Sequence, residues 1–429
     1  MKAFKISVVL FAIVSVAASA QERNSGFYKD IFMDSGLYLT PRRDLPAARA
    51  LGLSYETFVS TKKKTDPMTE SDSLLQVRLI AGNELDENGI LLYPDGQPRF
   101  RMVYMNGGSA GKHGRTLNAG GRANYKAFVE AGGSYVGTCA GAFIAAEKQQ
   151  DTKGTYIDRP YYIKLWGGTG CSTGMKKTWT GMDLPKGSAL LKYGDFGKDH
   201  HVDSVRHNGG CFGDDFPKGT EILATYDTEG MQTKRDVNGK PSIWAFKAGE
   251  KSGRIIMCGS HPEGKTTGRN LTLMEAMVKY ALDGTAGPVL KGTLKAGDRR
   301  SMTARTSDKD PDYTRIGDRQ YHHFLVDVPS GATKVTVDIF PVKGWNDYDL
   351  YLYAAPGGFA FNDNAVWSNV NLKARKTLII DEPKPGKLYV SVYCATTVDA
   401  VQTKFGESYT GRVDVLNGVP YEIQVKIAK

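Results

Sequence analysis

The hydrophobic pattern changes once along the chain. Between about residues 75 and 285, short apolar runs alternate with segments whose apolar residues recur every three to four positions. The run that begins at Ser134 is typical of a buried strand, and the segment from Asn270 to Gly284 is typical of an amphipathic helix closed by glycine. The segment CAGAFIAAEKQ, from Cys139, predicts the start of another helix. Strands alternating with helices predict an α/β domain with a mostly parallel sheet.

Beyond a linker from Gly284 to Gly292, helical periodicity disappears. The strand-like runs that follow are YHHFLVDVP, TKVTVDIFP, YDLYLYA, KTLIIDEP, KLYVSVYC and YEIQVKI. Several alternate apolar and polar residues, and turn residues separate them, which is typical of an antiparallel β-sandwich. We therefore predict an N-terminal extension at 21–74, the α/β domain at 75–287 and an all-β sandwich domain at 288–429.

Length and charge add two constraints. The 429 residues are too many for one ordinary core, which supports two domains. The formal net charge is +10, but basic residues are scattered, and the only compact run is Lys62-Lys63-Lys64. A short run of this kind is typical of a solvated loop, so we expect no nucleic acid partner.

The first residues have the pattern of a signal peptide, which we assign to 1–20. Lys2 and Lys5 accompany the apolar run ISVVLFAIVSVAA, and Ala18-Ser19-Ala20 fits a small-residue cleavage site. A membrane anchor is the alternative, but the run is short for a span, and no later segment is long and apolar enough to cross a bilayer. We expect a secreted or periplasmic protein after cleavage, without stable membrane insertion.

The five cysteines are an odd number, so at least one thiol must stay free or pair outside the chain. Cys139 is the candidate, because it lies between Gly137 and Gly141 where a strand passes into a helix. A nucleophile on such a turn is accessible, and the helix N-terminus favours the thiolate. The alternative from this motif alone is a buried cysteine in a glycine-rich turn.

His261 and Glu263 favour the catalytic interpretation. His261 follows the apolar strand GRIIMCGS, and Glu263 lies two residues further on, across a proline. Because the ends of parallel strands meet at one edge of a sheet, His261 can meet Cys139 there. Histidine would move the proton, and the carboxylate would orient the imidazole. The alternative is a surface histidine beside a solvated glutamate.

A glycine-rich loop follows another predicted strand. The stretch YMNGGSAG contains Gly107 and Gly108, whose backbone N–H groups, with that of Ala140, could stabilise a developing oxyanion. A flexible loop explains the same glycines.

Together, NGGSAG, GTCAGAF and SHPEG resemble the class I glutamine amidotransferase-like superfamily, and most closely its branch similar to the N-terminal domain of biotin–protein ligases. That branch has a GGxYxGxCAGA elbow, here Gly132 to Ala142, and an NGG motif, here Asn208-Gly209-Gly210. The resemblance covers about residues 75–285. It implies a flavodoxin-like fold, a Cys139–His261–Glu263 triad and an oxyanion hole at Gly108 and Ala140.

The sequence departs from the superfamily at one position of the elbow. Glutamine amidotransferases carry a glutamine where this chain has Phe143, so we do not expect glutaminase activity or ammonia transfer. We expect a substrate pocket at Phe143, His207, Asn208, Gly209 and Gly210. His200, His201 and His207 could bind a metal ion, but a loop that is solvated or lines the pocket is favoured, so no metal and no cofactor is predicted.

The β-rich region resembles the bacterial pre-peptidase C-terminal domain through NDYDLYLY, Asn346 to Tyr353. The resemblance implies an accessory domain on a secreted hydrolase. Contact of this domain with a cell surface or polymer is a separate expectation. Asp347 and Asp349 could bind calcium, but strand-end residues in a turn are favoured. At His322-His323, strand alternation predicts that at most one ring is buried.

These features predict a secreted cysteine hydrolase that acts on a small-molecule amide or peptide-like bond through a thioester intermediate. The alternative is a catalytically inactive ligand-binding or cell-surface module that keeps the amidotransferase-like fold.

Overall fold

The computed structural model describes residues 26–36, 38–40, 44–58, 80–403 and 406–429. The predicted signal peptide and the run Lys62-Lys63-Lys64 lie outside these residues. Within them, no helix has the length and apolar character that a membrane span requires.

The described α-helices are few. They are α1 (Pro46–Ala50), α2 (Ala110–Thr116), α3 (Asn118–Glu130), α4 (Ala140–Ala145) and α5 (Gly268–Asp283). Short 3-10 helices lie at Ala189–Lys192, Pro262–Gly264, Thr306–Asp308 and Val413–Asn417.

Strands make up most of the regular structure. In the first part of the chain they are β1 (Lys29–Asp34), β2 (Tyr55–Phe58), β3 (Phe100–Met105), β4 (Ser134–Thr138), β5 (Ala146–Gln150), β6 (Tyr156–Ile157), β7 (Trp166–Ser172), β8 (Thr178–Asp183), β9 (His201–His207), β10 (Cys211–Asp214), β11 (Glu221–Asp227), β12 (Pro241–Phe246) and β13 (Ile255–Cys258). In the last part they are β14 (Leu290–Thr293), β15 (Arg299–Met302), β16 (Tyr321–Val328), β17 (Lys334–Pro341), β18 (Leu350–Pro356), β19 (Trp367–Asn369), β20 (Lys376–Asp381), β21 (Gly386–Cys394), β22 (Val398–Thr403), β23 (Gly406–Gly411) and β24 (Tyr421–Ala428).

One large sheet organises the α/β part. Its strand order is β22-β23-β2-β1-β3-β4-β13-β12-β11-β8-β9. The five strands from β2 to β13 are parallel, and antiparallel strands extend the sheet on both sides. The α/β class with a parallel-rich sheet is therefore confirmed. β1 and β2 come from the segment 21–74, so the parallel core extends N-terminal of residue 75, while β22 and β23 come from the C-terminal region.

Helices cover both faces of this sheet. Helix α5 buries Met274, Met277 and Val278 in the core on one face, as its periodicity predicts. Helix α3 buries Tyr125 and Phe128 on the other face. Each such large apolar side chain contributes about 1.5–3 kcal/mol through its removal from water.

The helix that begins after Cys139 is shorter than its sequence predicts. It ends at Ala145, and Ala146 already has extended dihedral angles and begins β5. The carbonyls of Ile144 and Ala145 accept hydrogen bonds from the backbone N–H groups of residues 163–165, which replace the bonds that a longer helix would make. A small sheet, ordered β10-β7-β5-β6, follows beside this helix.

The C-terminal region contains two further sheets, ordered β14-β16-β21-β18-β19 and β15-β24-β17-β20. All six predicted strands are present, and their apolar residues form one core between the sheets. The prediction for the two histidines of β16 is wrong, because both are buried. His322 faces the core and contacts Tyr421, whereas His323 lies on the outer face, where Phe359 and Phe361 of a loop cover it.

Candidate active site

Cys139 lies on a strained turn between β4 and α4. Its φ of 50° and ψ of −101° are unusual for a residue with a side chain, and such strain is concentrated at functional sites. The two flanking glycines are required by close packing. A Cβ atom at Gly137 would lie 2.5 Å from the backbone of Gly141, and one at Gly141 would lie 2.2 Å from the carbonyl oxygen of Met105.

His261 reaches the same edge of the sheet from the neighbouring strand β13. The Cys139 N–H donates a hydrogen bond of 2.8 Å to the carbonyl oxygen of Cys258. This bond holds the ends of β4 and β13 together. The chain then turns, and the His261 N–H donates to the carbonyl of Arg206. The His261 ring nitrogen Nδ1 lies 3.0 Å from Oε1 of Glu263, whose carboxylate is buried.

Gly107 brings the imidazole close to the cysteine. A Cβ atom at this position would lie 2.2 Å from Cε1 of His261 and 3.3 Å from Cβ of Cys139. Only a residue without a side chain leaves room for the ring here. The three side chains predicted as a triad therefore lie in series in the structure, with Glu263 behind His261 and Cys139 in front of it.

The charge of His261 follows from these neighbours. Burial alone would lower the pKa of the imidazole, but the interaction with the Cys139 side chain and the Glu263 carboxylate outweigh it, and together they raise the pKa to about 10. Both neighbours therefore favour the imidazolium form of the ring.

The loop at Gly107-Gly108 is tied to the segment at Tyr38–Thr40. The Thr40 N–H donates to the Gly107 carbonyl at 2.6 Å, and the Ser109 N–H donates to the Tyr38 carbonyl at 2.9 Å. Gly108 has a φ of 149°, and a Cβ atom there would lie 2.5 Å from Cα of Leu39. These contacts make the loop a fixed backbone surface rather than a flexible connection.

A cavity of about 400 Å³ opens beside Cys139. Residues that the sequence singles out and that line it are Gly108, Cys139, Ala140, Phe143, Asn208, Gly209 and Gly210. Gly107 is not part of this lining, since it lies against the imidazole. Gly209 and Gly210 both have positive φ, and a Cβ atom at Gly210 would lie 2.1 Å from the Gly259 carbonyl oxygen.

His207 does not line this cavity, unlike its sequence neighbours. It is fully buried, and its Nε2 lies 2.8 Å from Oγ1 of Thr180 and 3.1 Å from Oγ of Ser260. Burial, and then the charge of His261, lower the pKa of His207 to about 3, so the ring is neutral. The alternation of β9 turns this residue inward, away from the cavity.

The sequence gives no signal for several other residues that line the cavity. They are Lys112 and Arg115 of α2 and, from the chain between β6 and β7, Arg159, Tyr161 and Tyr162. Arg159 donates from Nε to Oε1 of Gln149 at 2.7 Å and from Nη1 to the Tyr161 hydroxyl at 3.1 Å. The Arg115 guanidinium stacks 4.3 Å from the Tyr161 ring centroid. No motif marks these residues, because the small sheet and its connections bring them to the site.

A second cavity, of about 280 Å³, includes His261 in its lining. Trp179, Arg206, Asn208 and Glu263 also line it. Asn208 borders both cavities, so the two spaces adjoin at this residue.

Other predicted features lie elsewhere. His201 is on β9 rather than in a loop, and its ring, with the carboxylates of Asp183 and Asp227, forms a group whose atoms could hold a cation. Burial lowers the pKa of His201, but Asp183 and the other carboxylates outweigh this and raise it. Asp349 lies in the turn directly before β18, and its side chain accepts a hydrogen bond from the backbone N–H of Lys373. This position agrees with the favoured interpretation of NDYDLYLY, in which Asp347 and Asp349 are strand-end residues in a turn. All five cysteines are free and buried.

Comparisons with known proteins agree with the motifs. Residues 90–283 match the family described as biotin-protein ligase, N terminal, which confirms the resemblance predicted for that part of the chain. No curated protein matches the sequence.

Three solved structures are among those found in the comparison. A protein described as a GMP synthase component from Thermoplasma acidophilum is 12% identical, with 60% of this chain and 95% of that chain covered and a TM-score of 0.34. PurLQS from Thermotoga maritima is 12% identical, with 59% of this chain and 99% of that chain covered and a TM-score of 0.34. The pre-peptidase C-terminal domain of a Bacillus anthracis collagenase is 13% identical, with 33% and 99% covered and a TM-score of 0.18.

Proposed function

We propose that this chain, whose residues 90–283 match the biotin-protein ligase N-terminal family, is a cysteine hydrolase that cleaves an amide or peptide-like bond. The observation that carries the proposal is the series Cys139, His261 and Glu263 at the border of a cavity of about 400 Å³. A strained elbow, a buried carboxylate and a charged imidazole serve attack on a carbonyl better than they serve simple packing.

The reaction would proceed in two steps. The Cys139 thiol gives its proton to His261, the thiolate attacks the carbonyl carbon, and the imidazolium so formed donates that proton to the leaving amine as the C–N bond breaks. The resulting thioester is attacked by water, whose proton passes to the now neutral His261, and the carboxylic acid leaves as the C–S bond breaks. One amide and one water thus give one acid and one amine. Glu263 orients the ring and stabilises its positive form.

Backbone groups would stabilise the negative oxygen of each intermediate. Ala140 is the first residue of α4, and the first N–H groups of a helix have no acceptor within the helix. Its N–H and that of Gly108 border the cavity at Cys139, so both are candidates to donate to the oxyanion. Gly107 has a different role in this proposal, namely to leave room for His261.

Labelling with a panel of cysteine-reactive amide and peptide probes tests the function. The expected result is a covalent adduct on Cys139 that is absent in Cys139→Ala, together with turnover of the corresponding amides. A wild-type protein that forms no adduct and hydrolyses none of the amides would contradict the proposal.

A second candidate function is ligand binding without turnover. Phe143, which lies on the cavity wall where amidotransferases carry glutamine, favours it. An equilibrium complex with an amide that is recovered intact after long incubation would support this candidate over hydrolysis.

Export is a separate proposal that rests on the N-terminal sequence pattern. Expression of the full chain in its source cell, followed by N-terminal sequencing, should yield a mature chain that starts near Gln21 outside the cytoplasm.

Contact of the C-terminal sheets with a cell surface or polymer is likewise a proposal. Sedimentation of the full chain with insoluble wall material tests it, and absence of co-sedimentation would count against it.

A further inference from the structure

The cavity at Cys139 has an unusual charge distribution. Among the residues that the structure describes, its lining contains the cations Lys112, Arg115 and Arg159 and no aspartate or glutamate. The second cavity has two cations, Arg206 and Lys265, but also the carboxylate of Glu263 in its lining, so its positive charge is partly balanced. Lys112 and Arg115 are exposed and Arg159 is half-buried, so water screens part of their mutual repulsion, and a negative group bound in the space of about 400 Å³ would relieve the rest.

The arginines contact neutral partners. Arg159 donates to an amide oxygen of Gln149 and to the Tyr161 hydroxyl, and Arg115 stacks on the Tyr161 ring. Lys112 lies 5.3 Å from the ring centroid of Tyr38. Among the described residues, none of the three forms an ion pair with a carboxylate.

The neutral contacts also hold the guanidinium groups in position. Burial would raise the pKa of Tyr161, but its contacts with Arg159 and Arg115 outweigh burial and lower it. The same Gln149 oxygen accepts from the Tyr162 hydroxyl at 2.8 Å, which ties Arg159 to the buried part of the wall. A guanidinium that is oriented before binding loses less conformational freedom when it binds a planar carboxylate.

We propose that the substrate carries a carboxylate close to the scissile amide and that Arg115, Arg159 and Lys112 bind it. This inference rests on the proposed hydrolase function. It also disfavours a free amino acid amide, because the α-ammonium group would meet three like charges in the same space. The expected class is an acidic amide whose amino group is absent, acylated or distant from the cavity.

Two alkylating reagents of nearly equal size test the inference. Iodoacetate carries a carboxylate and iodoacetamide a neutral amide, and in both reactions the Cys139 sulfur forms a bond to carbon as iodide leaves. The rate of each is measured at Cys139 by peptide mass spectrometry, with glutathione as the free-thiol reference. We expect the iodoacetate-to-iodoacetamide rate ratio to exceed that of glutathione by about tenfold or more, and to fall as salt is raised.

The imidazolium of His261 also attracts anions, so variants are needed to distinguish its contribution to the rate ratio from that of the arginines. Arg115→Gln and Arg159→Gln should each lower the ratio by about three- to tenfold, while His261 is unchanged. Arg159→Lys keeps the charge and should retain most of the preference even if the Gln149 contact is lost. Lys126→Gln, an exposed residue of α3 that does not line the cavity, is the matched control and should leave the ratio unchanged.

The outcomes distinguish the two proposals. Rapid alkylation of Cys139 with a ratio equal to that of glutathione, or a ratio unmoved by both arginine variants, overturns the carboxylate inference and leaves the hydrolase proposal intact. A Cys139 that reacts with neither reagent overturns the hydrolase proposal and the inference with it.

Discussion

Gly107 and His261 are in direct contact, since a Cβ atom on residue 107 would lie 2.2 Å from Cε1 of the imidazole. Gly107→Ala must therefore displace the ring from Cys139. We expect the alkylation rate of Cys139 at neutral pH, and any hydrolysis, to fall by about tenfold or more, because proton transfer depends on hydrogen-bond distance. The rates of wild type and variant measured side by side check this.

Gly167→Ala is the matched control for that substitution. Gly167 lies in β7, and no atom of the described residues is within 4 Å of its Cβ position, so the same chemical change leaves the imidazole where it is. Equal rates in wild type and Gly167→Ala are expected. Full activity in Gly107→Ala would contradict the arrangement of the ring above the cysteine.

Glu263 sets the upper pH limit of activity in this account. The proposed mechanism uses His261 as an acid, so activity should be lost as pH rises through about 10, the raised pKa of the ring. Glu263→Gln removes a negative charge that contributes to this shift, and should move the alkaline limb to lower pH by about one unit or more. Rates from pH 5 to 11 for both proteins check this. If wild type and Glu263→Gln lose activity at the same alkaline pH, a group other than His261 titrates there.

The same ring links stability to pH. Because the folded-state pKa of His261 is raised from 6.5 to about 10, its stabilising contribution is complete below pH 6.5 and is lost as pH rises through about 10. The loss of unfolding free energy across this window should be greater in wild type than in His261→Gln, by about 2–4 kcal/mol. Urea denaturation at pH 6 and pH 10 measures it. Parallel pH dependence in the two proteins would contradict the raised pKa.

Part of this site follows from the sequence, because short motifs fix local backbone geometry. Cys139, His261 and the glycines at 107 and 108 follow strands, and adjacent parallel strands bring such segments to one edge of the sheet. The cations at 112, 115 and 159 could not be found in this way. They come from a helix and a connecting segment whose approach depends on the small sheet, and an arginine on the surface has the same local pattern as one in a cavity.

In the fold, too, some features follow from local sequence patterns and others depend on distant segments. The six strands of the C-terminal region follow from alternation, since each buries one face of its side chains. The pairing of β23 with β2 does not, because it joins residues more than 300 positions apart at Phe58 and Gly406. The burial of His323 also depended on a distant loop with Phe359 and Phe361. Local patterns do not reveal which distant segment covers a strand.

A buried ion pair joins the α/β part to the C-terminal sheets. Nη2 of Arg99 lies 2.6 Å from Oδ2 of Asp318, and both side chains are almost fully buried. Burial raises the pKa of Asp318 although Arg99, a hydrogen bond with Thr397 and the charge of Arg319 all lower it, so the pair carries a large desolvation cost. Asp318→Asn leaves the guanidinium without its partner and should lower the free energy of unfolding by about 3–5 kcal/mol. Denaturant titration measures this.

The control for that prediction is Asp327→Asn. This carboxylate pairs with Lys387 on the exposed face of the sandwich, where both side chains are more than half exposed. A change below about 1 kcal/mol is expected, because water screens the pair. Equal effects of the two substitutions would contradict the structural role assigned to Arg99 and Asp318.

The central claim is that His261 activates Cys139 as a nucleophile. The most direct measurement is the pH dependence of Cys139 alkylation by iodoacetamide, in wild type and in His261→Ala. We expect rapid alkylation of the wild type well below pH 8, and in the variant a slow reaction that rises with pH around the ordinary thiol value of about 8.5. Two identical profiles, both rising around that value, would contradict it.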